Sequence, residues 1–361
     1  MDSQATPDST TLHREPLTFT GSGWEYFRIW IVNLALSIAT VGIYSAWAKV
    51  RKMQYFYRNT QLAGAAFNYH GRPAAILRGR IVALALLALY QGSTRFAPAL
   101  TVVVLPVLGA IFPWLLWRSL RFRLHNTSYR GLRFSFAGNL KGAYSVFLGW
   151  PLAAFVTGYL LAPLWHQRLK RYQHDHTRYG QSTFSFRGRI GEFYSVYFKT
   201  SAWTLVVLVA TLFAFGVAIG MWRGASVRFG PPSDASRQDV MWIGAAFLVV
   251  AYLAYMLGVM PFLRSRMTNL IWNRTRLGEF AFESRLSAIR LAAVTFTNLL
   301  GIVFTLGLFT PFAQIRMARC RVESLTVLAS GPLDDFAAGE SIDETATGEE
   351  VADFFDIDVA L

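Results

Sequence analysis

Residues 46–71 read AWAKVRKMQYFYRNTQLAGAAFNYHG, and the fold turns on how that stretch is understood. It opens on a helix-ending phrase: a small residue, a bulky apolar residue, and an arginine four positions later, here Ala46, Trp47 and Arg51. The phrase returns at Pro113-Trp114 with Arg118, Pro163-Leu164 with Arg168, Pro261-Phe262 with Arg266 and Pro311-Phe312 with Arg316. After the first four copies comes a polar turn: Asn59-Thr60, Asn126-Thr127, His176-Thr177, and Asn273 with Thr275. Two aromatics one residue apart follow, Phe67 and Tyr69, Phe134 and Phe136, Phe184 and Phe186, Phe280 and Phe282. Leu17, Phe19 and Gly21 carry the same apolar-aromatic-glycine spacing, so the first unit begins there. A chain that writes one pattern five times is expected to consist of equivalent stacked units. Asn and Thr suit a turn because their side chains bond nearby backbone. Alternating aromatics suit a short strand with both rings on one face.

Outward from these phrases the chain is apolar. Hydrophobic residues make up 53% of it and charged ones only 16%, with a mean hydropathy of +0.33. They gather in runs at 29–47, 81–90, 97–117, 144–165, 202–222, 241–263 and 292–313. Roughly 20 apolar residues cross a hydrocarbon layer, so about six or seven membrane segments are expected. The fold class read from this is an all-α membrane protein, a multi-pass helical bundle with internal repeats and short aromatic β-like segments in cytoplasmic loops. Residues 1–16 read as a disordered tail, 17–329 as the membrane domain and 330–361 as an acidic disordered tail. The first 28 residues lack the apolar core and small-residue cleavage site of a removable leader, so the first span is expected to serve as the insertion signal.

The net charge is +14, unevenly spread. Ten of the 21 acidic residues follow Leu333, and no Lys or Arg follows Arg321. The cations sit in short loops between apolar runs, the positive-inside pattern, which points to anionic headgroups and away from nucleic acid. Stretches 48–80, 118–141, 166–192 and 264–290 all look cytoplasmic by this rule. Only one apolar run separates the second from the third, and only one separates the fourth from Arg316, Arg319 and Arg321. Simple crossings would put these on opposite faces, so 144–165 and 292–313 are expected to break and return.

The first and last units match in detail. Asn33, Thr40, Gly42 and residues 43–51 align at constant offset with Asn298, Thr305, Gly307 and residues 308–316, the mark of a duplication. Gly23, Trp24, Glu25, Tyr26, Phe27, Asn33 and the run 40–51 (TVGIYSAWAKVR) resemble the opening of the YjgN-like bacterial inner-membrane proteins. Residues 126–134 and 305–313 are similar to that family as well, and the resemblance extends over roughly 17–361. It departs at Ala46, where the phrase usually has Pro, and at Phe312, where it often has Trp. The resemblance implies a multi-pass protein of the bacterial cytoplasmic membrane, with no established activity and no assigned site residues.

Chemistry-bearing residues are few. His166, His174, Asp175 and His176 crowd one loop, with His70 and His125 elsewhere; imidazoles beside a carboxylate are a metal or enzyme candidate, outweighed here by a solvated reading. Cys320, the single cysteine, reads as a small apolar residue. No Gly-x-Ser-x-Gly, phosphate loop or His-Glu-x-x-His occurs, so no enzyme activity and no cofactor are expected. The candidate intramembrane polar residues are Asn33, Asn298, Thr40 and Thr305, read first as helix-to-helix hydrogen bonders. The candidate anion-contacting residues are Arg51, Arg118, Arg168, Arg266 and Arg316, each one helical turn past a bulky side chain that anchors at the interface. Two functions follow: a small-solute permease or channel-like protein, and a non-transporting scaffold that binds anionic lipid or a partner. The expected partners are the bilayer, its anionic headgroups, and a small solute on the first reading; oligomeric state is not legible.

Overall fold

The computed structural model describes residues 13–229 and 237–329. The expected tails over 1–12 and 330–361 lie outside them, while His13–Pro16 forms β1. Two short strands, β1 (His13–Pro16) and β2 (Thr18–Phe19), open the chain. Five helical hairpins follow, and a β-hairpin separates each from the next. The first helical hairpin is α1 (Gly23–Ala39) and α2 (Ser45–Arg58), followed by β3 (Thr60–Leu62) and β4 (Ala65–Tyr69). The second is α3 (Pro73–Phe96) and α4 (Pro98–His125), followed by β5 (Thr127–Tyr129) and β6 (Leu132–Phe136). The third runs through α5 (Leu140–Tyr144), a π-turn, α6 (Trp150–Val156) and α7 (Ala162–Asp175) to β7 (Thr177–Tyr179) and β8 (Ser182–Phe186). The fourth is α8 (Ile190–Phe229), then α9 (Arg237–Ala254), a second π-turn and α10 (Met260–Asn273), leading to β9 (Thr275–Leu277) and β10 (Phe280–Ser284). The fifth, α11 (Ala288–Phe304) and α12 (Thr310–Val322), ends in β11 (Leu325–Ala329).

The strands overturn the all-α expectation. All eleven join one antiparallel sheet in the order β1-β11-β10-β9-β8-β7-β6-β5-β4-β3-β2. Its two ends, β1 and β2, are consecutive in the chain. Leu17 between them donates its N–H to the carbonyl of Leu325 at 3.0 Å, so the sheet all but closes into a barrel. Closure removes the exposed edges that such short strands would otherwise present. Strands of two to five residues have no stability alone; here each is held by a partner that arrives after a helical hairpin. Phe67 lies opposite Tyr129, Phe134 opposite Tyr179, Phe184 opposite Leu277 and Phe282 opposite Val327. These side chains line the inside together with Leu17, Leu62 and Phe280, around an apolar cavity of about 160 Å³. Rings stack around it: Phe67 to Tyr129 at 4.7 Å, Phe134 to Tyr179 at 5.0 Å, Phe184 to Phe282 at 6.0 Å. The Tyr129 hydroxyl donates to the Leu62 carbonyl at 2.8 Å and that of Tyr179 to the Tyr129 carbonyl at 3.0 Å, which satisfies both polar tips inside an apolar core.

Pairing also decides the path of the helices. β2 pairs with β3, β4 with β5, β6 with β7, β8 with β9 and β10 with β11, so every helical hairpin is inserted between two adjacent strands. Each therefore leaves the sheet and comes back to it. Runs 144–165 and 292–313 break and return, and so does 29–47, whose length alone suits a simple span. The turns are alike: Thr40-Val41-Gly42, Thr157-Gly158-Tyr159 and Thr305-Leu306-Gly307, with positive φ at the last two residues of each. In the first and last the Thr hydroxyl donates to the carbonyl four residues back and accepts the N–H four residues on, pinning both helices at once.

Among the described residues, the seven apolar runs reduce to four helices long and apolar enough to cross a membrane: Pro73–Phe96, Pro98–His125, Ile190–Met221 and Met241–Asn273. Only 6% to 17% of each apolar window is buried inside the protein, so most of this apolar surface has no protein cover among the described residues. Water would not tolerate so much contiguous apolar surface; lipid does.

Candidate functional site

The repeated phrase opens the returning helix in the first, third and fifth hairpins, lies within it in the second and fourth, and ends none. Pro163, Pro261 and Pro311 sit in the first turn of α7, α10 and α12, where a missing N–H costs nothing. Ala46 takes that place in α2, and Pro113 lies within the longer α4. At the other end, the polar turn caps the same helices. Thr60, Thr127, Thr177 and Thr275 donate to carbonyls four residues back at 2.7–2.9 Å. Asn59 and Asn126 do the same beside them, both at 2.8 Å. Asn273 is an exception to the sequence pattern: its Oδ1 accepts the N–H of Ser284, the role that Asp175 plays for Phe186. The fourth aromatic pair is likewise displaced by two residues. Ser284, not an aromatic, holds the place of Tyr69, Phe136 and Phe186, and its hydroxyl donates to Asn269.

The glycine two residues past those rings has a steric reason. A Cβ on Gly71 would lie 2.4 Å from the Tyr69 hydroxyl, and Cβ atoms on Gly21, Gly138 and Gly188 would lie 2.4–2.7 Å from the Phe19, Phe136 and Phe186 rings. Each ring lies on bare backbone where the strand hands over to the next helix.

The five arginines lie on the returning helices. Arg118 and Arg266 stand over Trp114 and Phe262, one turn back, at 5.9 and 5.4 Å. Arg51 instead covers Tyr44 at 5.8 Å, and Arg168 covers Trp150 at 5.7 Å. Arg316 bonds the Asn298 Oδ1 at 2.9 Å and the Thr297 hydroxyl at 2.8 Å. Other cations line the same helices: Lys49, Lys52 and Arg58 on α2, Arg121 and Arg123 on α4, Lys170 and Arg171 on α7, Arg264 on α10, Arg319 and Arg321 on α12. The only acid among them is Asp175. Burial, helped by the charge of Arg123, holds the Lys170 amine below its ordinary range.

The two asparagines differ in their surroundings. Both are buried, but the Asn298 amide spans Arg316 and the Ala313 carbonyl, whereas the Asn33 Oδ1 has no partner among the described residues. Asn298 also reaches a groove of about 510 Å³ between α2, α11 and α12. Lys52, Thr295, Gln314 and Arg321 share its wall with Phe56, Leu299, Ile302 and Met317. Nothing in the sequence brings Lys52, Gln314 and Arg321 together; their convergence depends on the first helical hairpin packing against the last.

The histidine cluster disperses. His166 meets the Tyr197 hydroxyl, His174 the Thr275 hydroxyl and His176 the Tyr172 carbonyl, while Asp175 pairs with Arg171. No group of three or more metal-ligating side chains exists among the described residues. Burial, reinforced by Lys170, pushes His174 down to about 4. Cys320 is buried against Leu286 and Leu291, as a small apolar residue would be.

A family model described as "Bacterial protein of unknown function (DUF898)" matches residues 14–354. The chain belongs to that family. It is 30% identical over 153 residues to "Inner membrane protein YjgN" of Salmonella typhimurium, covering 41% of this chain and 38% of that protein. It is 33% identical over 137 residues to the protein of the same name from Escherichia coli K12, covering 36% of this chain and 32% of that one. The match thus spans only about a third of the length of these relatives. No solved structure matches. The relatives' names and the four long apolar helices agree in making this a membrane protein, consistent with the inner membrane.

Proposed function

We propose that this is a non-transporting, multi-pass inner-membrane scaffold whose near-barrel lies on the cytoplasmic side and whose returning helices hold anionic lipid headgroups. The observation that carries this reading is the collar of Lys and Arg on α2, α4, α7, α10 and α12, helices that hold a single acid of their own, with only Arg171 and Arg319 paired to carboxylates among the described residues. Four of the five phrase arginines lie over aromatic rings. Arg51, Arg168 and Arg266 are exposed and turn a guanidinium edge toward phosphate, while the Arg118 Nε is buried without a partner among the described residues. A polybasic collar next to an anionic leaflet gains about 1 kcal/mol per cation. The common plan of the five helical hairpins supports descent from a repeated unit. A small-solute permease is less well supported, since the groove at Asn298 is mostly apolar and Asn33 lies outside it.

The test is the lipid that stays with the protein through mild detergent. Phosphatidylglycerol and cardiolipin are expected to be enriched over phosphatidylethanolamine relative to the source membrane. Replacing Arg51, Arg118, Arg168 and Arg266 together by Gln is expected to abolish the enrichment. Retained lipid of bulk composition, or solute flux in proteoliposomes that those replacements stop, would refute the reading.

A further inference from the structure

We infer that the groove between α2, α11 and α12 seats one anionic phospholipid, with its phosphate between Lys52 and Arg321 and an acyl chain laid along Leu299 and Ile302. The inference deepens the lipid-binding reading and rests on it, but it assigns a single defined site where that reading assigns a collar.

The groove has a direction. On α12 its wall is the stripe Thr310, Ala313, Gln314, Met317, Ala318 and Arg321, one continuous helical face. Thr310 stands at the turn of the fifth helical hairpin and Arg321 at the sheet, so the stripe runs from hairpin tip to collar. The antiparallel α11 contributes Ile302 and Leu299 toward the tip and Thr295 toward the collar. Lys52 joins from α2. The tip itself is bare and apolar, with Phe304 82% and Leu306 95% exposed. Apolar surface therefore lies at the membrane end and cations at the sheet end, the polarity of a phospholipid in the leaflet facing the sheet. Length agrees: eleven helical rises from Thr310 to Arg321 make roughly 16 Å, half of a hydrocarbon layer of roughly 30 Å. The volume of about 510 Å³ falls among ordinary ligand sites.

Charge complementarity names the occupant. Neither Lys52 nor Arg321 has a carboxylate partner among the described residues. Arg321 also lines a neighbouring pocket of about 350 Å³ with Arg264 and Thr268. Three cations thus adjoin the head of an apolar groove, and a headgroup phosphate neutralises them while its chain covers the wall below.

Native mass spectrometry of the whole chain, released from nanodiscs of phosphatidylglycerol diluted in phosphatidylcholine, tests the site. One phosphatidylglycerol per chain is expected to survive release. The Lys52→Gln/Arg321→Gln variant is expected to weaken that adduct about thirtyfold, and Lys52→Arg/Arg321→Lys to keep it. Leu299→Trp, which fills the chain path and leaves both cations, is expected to weaken it as well. An adduct indifferent to these variants overturns the site, as does equal displacement by glycerol phosphate, which has no chain. A second copy of the chain in place of the lipid overturns it too. Enrichment of anionic lipid in the detergent-purified variants separates the two proposals: if it persists while the single adduct is unaffected, only the groove assignment fails.

Discussion

At Gly138 two elements close on one residue: the Phe136 ring lies on its Cα and the Tyr172 hydroxyl would stand 2.8 Å from an added Cβ. Gly138→Ala is expected to lower stability by about 1–3 kcal/mol, read as a drop in thermal midpoint in detergent. Gly92→Ala, in α3 with open space around it, is expected to leave the midpoint unchanged or raise it slightly. Equal effects at the two positions would contradict the ring-on-glycine account. His174 gives a second handle. Its folded value of about 4 lies below the ordinary 6.5, so the unfolded chain binds the extra proton first. Its contribution to stability is complete above about pH 6.5 and is lost as pH falls toward 4. His174→Asn is expected to flatten that acid slope, by at most about 1.4 kcal/mol per pH unit; an unchanged slope would place the titration elsewhere. The sequence pointed to these glycines by their spacing from an aromatic, but not to the reason, which is a contact between a strand end and the next backbone.

At the level of the element, the short helical hairpins are the distinctive part. Val41, Tyr159 and Leu306 are exposed at their turns, and nothing in the described protein covers them. A charge at such a tip, as in Leu306→Asp, is expected to cost about 2.5–3.5 kcal/mol of insertion if the tip reaches mid-bilayer, measured as lost membrane incorporation. Normal incorporation would mean the tip is not in hydrocarbon. Thr305→Val removes one donor and one acceptor from the turn that joins α11 to α12 and is expected to destabilise by about 1–2 kcal/mol. Much of this scale was legible. The charge conflict around 144–165 and 292–313 identified two returning hairpins because cations flank both sides of a single run. The same break at Thr40-Val41-Gly42 is not legible because 29–47 is long enough to pass for a span, and positive φ at Val41 is not written in a hydropathy profile.

For the whole molecule, the sheet explains what a helical reading could not. Its strands are too short to be recognised singly, and the pairings that carry the sheet from one β-hairpin to the next lie across 40 to 88 residues of helical hairpin, so no local pattern encodes the closure. What the sequence did carry was the equivalence of the pieces: rings at fixed offsets, capping Thr residues and a returning cationic helix. The candidate arginines and asparagines were visible as letters in that pattern. The groove that joins Lys52 to Arg321 was not, because it depends on the first and last helical hairpins meeting once the barrel all but closes. The central claim is that every helical hairpin starts and ends at one sheet on one side of the membrane. Single cysteines at Arg133 and Thr183, flanking the third helical hairpin in a Cys320→Ala background, test it with a membrane-impermeant thiol reagent. Both are expected to label from the same face and neither from the other; labelling from opposite faces would contradict the fold described.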